Sequence, residues 1–183
     1  MTMLVSGYVT FSQAKVEVGL KAGANFSNFS TDANSYSLES STGLAVGTFV
    51  LFKVANIGIQ PEVLYSLQGA TIEDATNSIE QEMHYITVPV MAKVYLPLGL
   101  NIQAGPQYGL LLSAKADEED VKEEFKNSDI SLGFGLGWDL PFGLKVSGRY
   151  YLGLNDINET GGEELKNRNF QIALGYSLFK LGR

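Results

Sequence analysis

The chain has 183 residues, no cysteine and a formal net charge of −7 at pH 7. The length fits one domain, the absence of cysteine excludes disulfides and thiol chemistry, and the acidic balance argues against nucleic acid as a partner. Prolines and amides interrupt the most apolar stretch, Val94 to Leu112, so no run reaches the ~18 residues that a membrane-spanning helix needs. If the chain crosses a membrane, it does so with strands.

The first residues are mildly apolar and end in small side chains. Residues 1–14 read MTMLVSGYVTFSQA, and Ser12 and Ala14 have the spacing that signal peptidase accepts. We therefore predict a signal-peptide remnant over residues 1–14 and a folded domain over residues 15–183. An extra N-terminal strand or a disordered arm remains an alternative, because the segment lacks a basic start.

From residue 16 onward, apolar residues alternate with polar or very small ones. Successive side chains of a strand point to opposite faces, so this alternation predicts strands with one apolar and one polar face. The clearest example sets Ile130, Leu132, Phe134, Leu136 and Trp138 against Ser131, Gly133, Gly135, Gly137 and Asp139. We predict eight strands, approximately at residues 16–26, 42–53, 57–69, 83–95, 100–113, 129–139, 143–154 and 168–179.

The connections between these strands alternate in length. Tight turns are predicted at residues 53–56, 96–99 and 140–143, and long polar connections at residues 27–41, 70–82, 114–128 and 155–167. Short turns on one side and long loops on the other are typical of outer-membrane barrels. The fold class is therefore predicted as all-β, an eight-stranded antiparallel up-and-down transmembrane β-barrel. Because proline cannot donate to a strand ladder, we expect bulges or ladder breaks at Pro61, Pro89 and Pro106.

The composition of the two faces predicts which one meets lipid. Every second residue of a strand lies on the same face, and we call the two sets of residues the polar parity and the apolar parity. The polar parity is rich in Gly, Ser, Asn and Gln, whereas the apolar parity carries aromatic residues and essentially no charge in mid-strand. A Lys or Arg on the lipid face at the bilayer midplane costs about 2–4 kcal/mol. The apolar parity is therefore predicted to face outward and the polar parity to line the lumen.

Charged residues on the inward parity are the candidate functional residues. Lys21, Glu62 and Arg149 are predicted at one level of the lumen, and Lys93, Lys145 and Asp139 nearer the short turns. These groups are predicted to meet across the lumen, because an eight-stranded barrel is only wide enough for side chains to fill it. Buried charges must be paired or hydrogen-bonded. We interpret them as an interior charge network that plugs the barrel, and a narrow polar pore is the alternative.

The remaining motifs indicate no catalytic chemistry. Tyr108, Trp138 and Tyr150 have outward parity and suit an aromatic girdle. The single histidine, His84, is predicted at the outer rim without a serine partner. The acidic segment 116–126 lacks the order of a calcium loop and is predicted as a solvated extracellular loop, and Gly133 to Gly137 as an interior wall. We predict no enzymatic activity, no cofactor and no metal site.

Several segments together resemble a known family. VGLKAGANFSNFS (Val18–Ser30), GIQPEVLYSLQGA (Gly58–Ala70), Tyr85–Lys115 and NFQIALGYSLF (Asn169–Phe179) are similar to the small outer-membrane β-barrel domains of Bacteroidetes, labelled PorT-like or "porin family protein". The resemblance covers nearly the whole chain after residue 15. It implies an eight-stranded barrel in the outer membrane of a Gram-negative bacterium, without implying a defined activity.

These observations lead to a functional expectation. We expect a non-enzymatic outer-membrane barrel with a plugged polar lumen and four extracellular loops, in a structural or adhesive role or as an envelope-transport accessory. The expected partners are bilayer lipid, lipopolysaccharide, the barrel-assembly machinery and, through the PorT label, envelope secretion components. The alternative is a soluble lipocalin-like barrel, whose apolar parity would face inward around a ligand.

Overall fold

The computed structural model describes residues 14–30, 37–73, 78–116, 119–120, 128–154 and 166–182. These residues form eight long antiparallel strands and one two-residue strand, β6. The strands are β1 Lys15–Ser30, β2 Ser37–Val54, β3 Ile57–Glu73, β4 Ser78–Tyr95, β5 Leu100–Ala116, β6 Glu119–Asp120, β7 Ser128–Asp139, β8 Leu144–Gly153 and β9 Lys166–Leu181.

The long strands close into a barrel. Each pairs with its neighbours in sequence, β1 pairs with β9, and β4 pairs with both β3 and β5, so the sheet has no free edge among the long strands. The two-residue β6 pairs only with the end of β5. The predicted eight-stranded antiparallel barrel is confirmed. Among the described residues, no helix has the length and hydrophobicity needed to span a membrane.

The two faces of the barrel wall are sorted as the alternation predicts. Leu20, Leu136 and Leu174 are exposed on the outside, whereas Lys21, Gln103 and Gln171 are buried inside. The lipocalin-like alternative is therefore wrong, because it requires the apolar parity to line the interior. A wall with exposed leucine, isoleucine and aromatic side chains needs an apolar surrounding.

The strands extend further at the long-connection end than predicted. β2 begins at Ser37 and β4 at Ser78, several residues before the predicted starts, and β3 reaches Glu73. The predicted connection at 70–82 is thus wrong, since most of it is paired strand. Apolar and polar residues alternate less regularly there in the sequence, although the strands continue by backbone pairing. The predicted signal remnant, apart from Ala14, and most of the acidic segment 116–126 lie outside the described residues.

The strand prolines interrupt the ladders without shifting their register. Pairing between β4 and β5 continues from Pro89–Gln107 to Ala92–Ala104 with a gap that includes Pro106, and the pairing of β2 with β3 has a gap beside Pro61. The predicted ladder breaks are confirmed. The register shifts occur elsewhere, for example between Val18 and Gly19 on β1.

Glycines on the inner wall leave room for large side chains on neighbouring strands. A Cβ atom on Gly133 would lie 2.6 Å from Tyr151 Cε1, and a Cβ on Gly135 would lie 2.8 Å from Arg149 Cγ. These glycines of β7 therefore form the smooth wall that the sequence predicts. In the lumen, a glycine on one strand lies beside a long side chain on the next strand, which fills the space.

This packing predicts different costs for two glycine substitutions on adjacent strands. Gly133→Ala should lower the heat-modifiable melting temperature in detergent, because overpacking costs about 1–3 kcal/mol. Gly148→Ala is the matched control, since its Cβ would point outward and meet only Phe170 Cζ at 3.9 Å. Equal melting temperatures for the two variants would contradict the packing of Tyr151 over Gly133.

Candidate functional site

The centre of the lumen contains a buried ion-pair cluster contributed by three strands. Lys21 Nζ of β1 lies 2.8 Å from Glu62 Oε2 of β3, and Arg149 Nη2 of β8 lies 2.7 Å from Glu62 Oε1. All three side chains are almost fully buried. We call Lys21, Glu62 and Arg149 the central cluster.

Neutral side chains add hydrogen bonds to the ion pairs of the central cluster. Gln60 Nε2 donates to Glu62 Oε1 at 2.7 Å, Arg149 Nε donates to Gln103 Oε1 at 2.7 Å, and Arg149 Nη1 donates to Tyr151 Oη at 3.2 Å. Three nitrogen atoms of the guanidinium group and both carboxylate oxygens of Glu62 thus have partners. Such satisfaction is what a buried charge requires in a low-dielectric interior.

Strand register explains why these long side chains can cross the lumen. Lys21 is opposite Gly47 on β2 and Gly175 on β9, and Arg149 is opposite Gly135 on β7. Each cation therefore has a glycine beside it on the inner wall, and its stem lies where a neighbouring side chain would otherwise be. The inward parity of β3 then places the Glu62 carboxylate between both cations.

A second group of charges lies nearer the short turns. Lys145 Nζ bridges Glu17 Oε2 at 2.9 Å and Asp139 Oδ2 at 2.7 Å, and Lys93 Nζ lies 3.3 Å from Asp139 Oδ1. We call Glu17, Lys93, Asp139 and Lys145 the lower cluster. The sequence places Lys93, Lys145 and Asp139 below Lys21, Glu62 and Arg149, and in the structure Lys93 makes its ion pair with Asp139.

Hydrogen bonds tie the lower cluster to the barrel wall. Tyr95 Oη donates to Asp139 Oδ2 at 2.9 Å, Asn101 Nδ2 donates to Asp139 Oδ1 at 3.1 Å, and Ser177 Oγ donates to Glu17. The cluster holds two carboxylates and two ammonium groups, so its formal charges cancel. A small cavity that touches both clusters has a volume of about 10 Å³, about the minimum for one water molecule.

Above the central cluster, the lumen is lined mostly by neutral polar groups, together with the buried carboxylate of Asp129. Asn25 Nδ2 donates to Ser66 Oγ at 2.8 Å, and Asn25 Oδ1 accepts from Gln171 Nε2 at 3.0 Å and from Asn169 Nδ2 at 3.4 Å. Toward the long connections, amides and hydroxyls thus outnumber charged groups among the described interior residues, and Asp129 is a buried carboxylate there.

The predicted aromatic girdle residues all lie on the outer wall. Trp138 is beside a short turn, where its Nε1 donates to Leu98 O at 3.0 Å. Tyr150 lies further along the wall, between Phe134 and Phe170 on the neighbouring strands, and Tyr108 lies between Val88 and Ile130. Trp138 is thus separated from the two tyrosines along the barrel, and their membrane role stays a prediction.

His84 lies on the outer wall toward the long connections. Its Nδ1 is 2.6 Å from Tyr65 Oη, a partner that sequence reasoning did not identify.

In the part of the chain that the structure describes, no three His, Asp or Glu side chains are grouped as metal ligands.

Sequence reasoning missed some members of the interior network. Glu17 has inward parity and is ionisable, so the same signal that found Lys21 could have found it. Gln103 and Tyr151 carry no charge, and their role depends on the register that brings them to Arg149. Parity identifies inward side chains, whereas contacts across the lumen depend on barrel closure.

The comparisons with known proteins agree with this architecture. A family model described as "Outer membrane protein beta-barrel domain" matches residues 11–159. Neisserial surface protein A (NspA) is similar in fold, with a TM-score of 0.58 and 11% identity, over 88% of this chain and 97% of that one. A search of curated protein sequences found no match.

Two further solved structures are similar in fold. Ail, the attachment invasion locus protein of Yersinia pestis, has a TM-score of 0.54 and 13% identity over 90% of this chain and 98% of its own. OprG from Pseudomonas aeruginosa has a TM-score of 0.50 and 13% identity over 93% of this chain and 96% of its own.

The central cluster predicts a large stability cost for removing its carboxylate. Glu62→Ala leaves Lys21 and Arg149 buried without their anion, and breaking a buried pair in this way costs about 3–5 kcal/mol. The measurement is the heat-modifiable melting temperature of the purified barrel in detergent, which should fall markedly.

The matched control for Glu62→Ala is Lys15→Ala. Lys15 pairs with Glu17 at 2.6 Å, but its side chain is 36% exposed, and such exposed pairs contribute about 0–1 kcal/mol. Lys145 still compensates Glu17 in this variant. An unchanged melting temperature for Glu62→Ala would contradict the network.

Proposed function

Since the chain belongs to the outer membrane protein β-barrel domain family, we propose that it is a non-enzymatic barrel with a closed lumen that presents its long connections outside the cell. Its location is the outer membrane of a Gram-negative bacterium. Long connections of such barrels face the exterior and short turns face the periplasm. The proposal concerns what the barrel does in that membrane.

The ion-paired central cluster is the main observation that supports a closed lumen. Lys21 and Arg149 reach Glu62 from different strands, and the cavity beside them has a volume of about 10 Å³. A hydrated ion would have to displace these side chains and separate charges that are almost fully buried. Separation of buried ion pairs is costly, which favours a plug over the narrow polar pore.

The fold supports a structural or adhesive role for the exterior. Ail, which shares the fold, is the attachment invasion locus protein of Yersinia pestis, and it was solved in complex with the heparin analogue sucrose octasulfate. The present chain has a net charge of −7 and the acidic segment ADEEDVKEEFK at residues 116–126. Because like charges repel at an interface, a cationic partner suits this exterior better than a sulfated glycan.

Partners beyond the bilayer are part of the proposal. Lipopolysaccharide and the barrel-assembly machinery are expected for a barrel of this location. A role as an accessory of envelope secretion rests on the resemblance to PorT-like proteins. No contact among the described residues favours this role. The structural or adhesive role is therefore the first candidate.

Planar-bilayer recording tests the closed lumen. The wild-type barrel should produce no stepwise conductance, because the central cluster occupies the cross-section. The triple variant Lys21→Ser, Glu62→Ser, Arg149→Ser shortens all three side chains together and should produce conductance steps. Stable channels in the wild type would support the pore and contradict the plug.

Adhesion assays test the exterior role. Cells that express the chain should adhere to polylysine-coated surfaces more than to heparin-coated surfaces. Neutralising Asp117, Glu118, Glu123 and Glu124 to the amides should remove that preference, and the same number of substitutions in residues 155–165 serves as control. Preferred adhesion to heparin would contradict the cationic partner.

A further inference from the structure

A small cavity lies in the lumen between the central cluster and the lower cluster. Its wall includes Lys21 and Arg149 of the central cluster and Lys93, Lys145 and Asp139 of the lower cluster. Its volume is about 10 Å³, and a space of this size can hold one water molecule when a few polar groups line it. The groups on its wall therefore decide whether a ligand binds there and of which kind.

Gln60 brings a hydrogen-bond acceptor without a donor to this cavity. The residue lines the cavity and is only 3% exposed, and its Nε2 atom donates to Glu62 Oε1 at 2.7 Å. Among the residues that the structure describes, no group donates to the Oε1 atom of Gln60. A buried carbonyl oxygen without a donor is costly, so this amide indicates that a donor binds in the cavity.

Two lysines bring unused donors to the same cavity. An ammonium group has several N–H donors and no acceptor. In the described part of the chain, Lys21 Nζ has one acceptor, Glu62 at 2.8 Å, and Lys93 Nζ has one acceptor, Asp139 at 3.3 Å. Both lysines are buried, so their remaining N–H groups have little access to bulk water. An acceptor bound in the cavity would satisfy them.

Strand register places the unpaired donors and the unpaired acceptor next to each other. Gln60 on β3 and Lys93 on β4 are diagonal neighbours, because Lys93 pairs with Gly58, two residues before Gln60. In the described structure, no hydrogen bond joins these two side chains. The clusters are connected on β5 instead, where Gln103 Nε2 donates to Asn101 Oδ1 at 2.7 Å. A ligand in the cavity would add a connection at β3 and β4.

We propose that the cavity is a binding site for one water molecule, which donates to Gln60 Oε1 and accepts from the ammonium groups of Lys21 and Lys93. The water joins the central cluster to the lower cluster at β3 and β4, as Gln103 and Asn101 do at β5. The site deepens the proposed closed lumen and rests on it for its consequence, which is that the two clusters act as one hydrogen-bonded plug.

Water fits these groups better than a small anion does. The central cluster has two cations and one carboxylate, so its excess positive charge favours an anion such as chloride. Chloride, however, only accepts hydrogen bonds and would lie against the carbonyl oxygen of Gln60 without donating to it. Chloride is also larger than water, and the cavity has only about the volume that one water molecule needs. Water both donates and accepts, so it satisfies the amide and the ammonium groups together.

Crystals of the unmodified chain grown in sodium bromide distinguish the two ligands, because bromide occupies chloride sites and scatters anomalously. We expect density for one water at about 3 Å from Gln60 Oε1 and from an ammonium nitrogen of Lys21 or Lys93, without an anomalous peak. A bromide peak in the cavity would show an anion site, and a cavity without density would show no ligand. Either of these two results would overturn the proposal.

A double-mutant cycle tests whether the water connects the two clusters. Gln60→Met and Lys93→Met each remove one partner of the water, and the unfolding equilibrium constant of each variant is measured in urea with the barrel in lipid vesicles. Because Gln60 is uncharged, repulsion between ions does not couple the two positions. We expect the double variant to have an unfolding constant about fivefold smaller than the two single effects multiplied together, which corresponds to one net hydrogen bond.

The matched control for Lys93→Met is Lys53→Met. Lys53 Nζ lies 3.5 Å from the centroid of the Tyr95 ring, and Lys53 is not among the residues that line the cavity. The effects of Lys53→Met and Gln60→Met should therefore multiply without coupling. If Lys93→Met and Gln60→Met also show no coupling, the water bridge is wrong. Heat-modifiable mobility confirms that each variant is folded.

Failure of the water site and failure of the closed lumen give different results. Conductance of the wild-type barrel in planar bilayers would contradict the closed lumen, and with it the consequence drawn for the plug. An empty or bromide-filled cavity in a barrel that does not conduct would overturn the water site alone.

Discussion

The structure depends on one constraint: the barrel wall is a single layer of strands that contacts hydrocarbon on its outer face and a narrow polar lumen on its inner face. A strand can do so only if its side chains alternate strictly, because one slip of register exchanges the two faces. Closure through β1–β9 pairing then removes the free edge, which matters because unpaired backbone groups are costly in lipid. The apolar exterior and the charged interior are two consequences of that single constraint.

The lumen satisfies its charges by placing one charged group between two groups of opposite charge. Glu62 lies between Lys21 and Arg149, and Lys145 lies between Glu17 and Asp139. Glycines on neighbouring strands make space for the long stems, and the cavity that touches both clusters has a volume of about 10 Å³. These ion pairs support the proposed closed cross-section of the barrel.

Much of the fold follows from residue alternation, whereas the contacts within the lumen do not. Alternation from Ile130 to Trp138 identifies β7 and its sidedness, and the same signal places Lys21, Glu62 and Arg149 inside. It cannot show that Lys93 pairs with Asp139, since that contact depends on the stagger of strands around the barrel. The alternation also places the starts of two strands too late in the chain. Backbone pairing extends β2 back to Ser37 and β4 back to Ser78.

The sidedness of the wall is tested most directly by solid-state NMR of the unmodified chain in lipid bilayers. Polarisation transferred from acyl-chain protons should reach Ile172, Leu174 and Tyr176 of β9 and should not reach Gln171, Ala173 or Ser177. Transfer to both sets alike, or to the second set alone, would contradict an apolar exterior around a polar lumen.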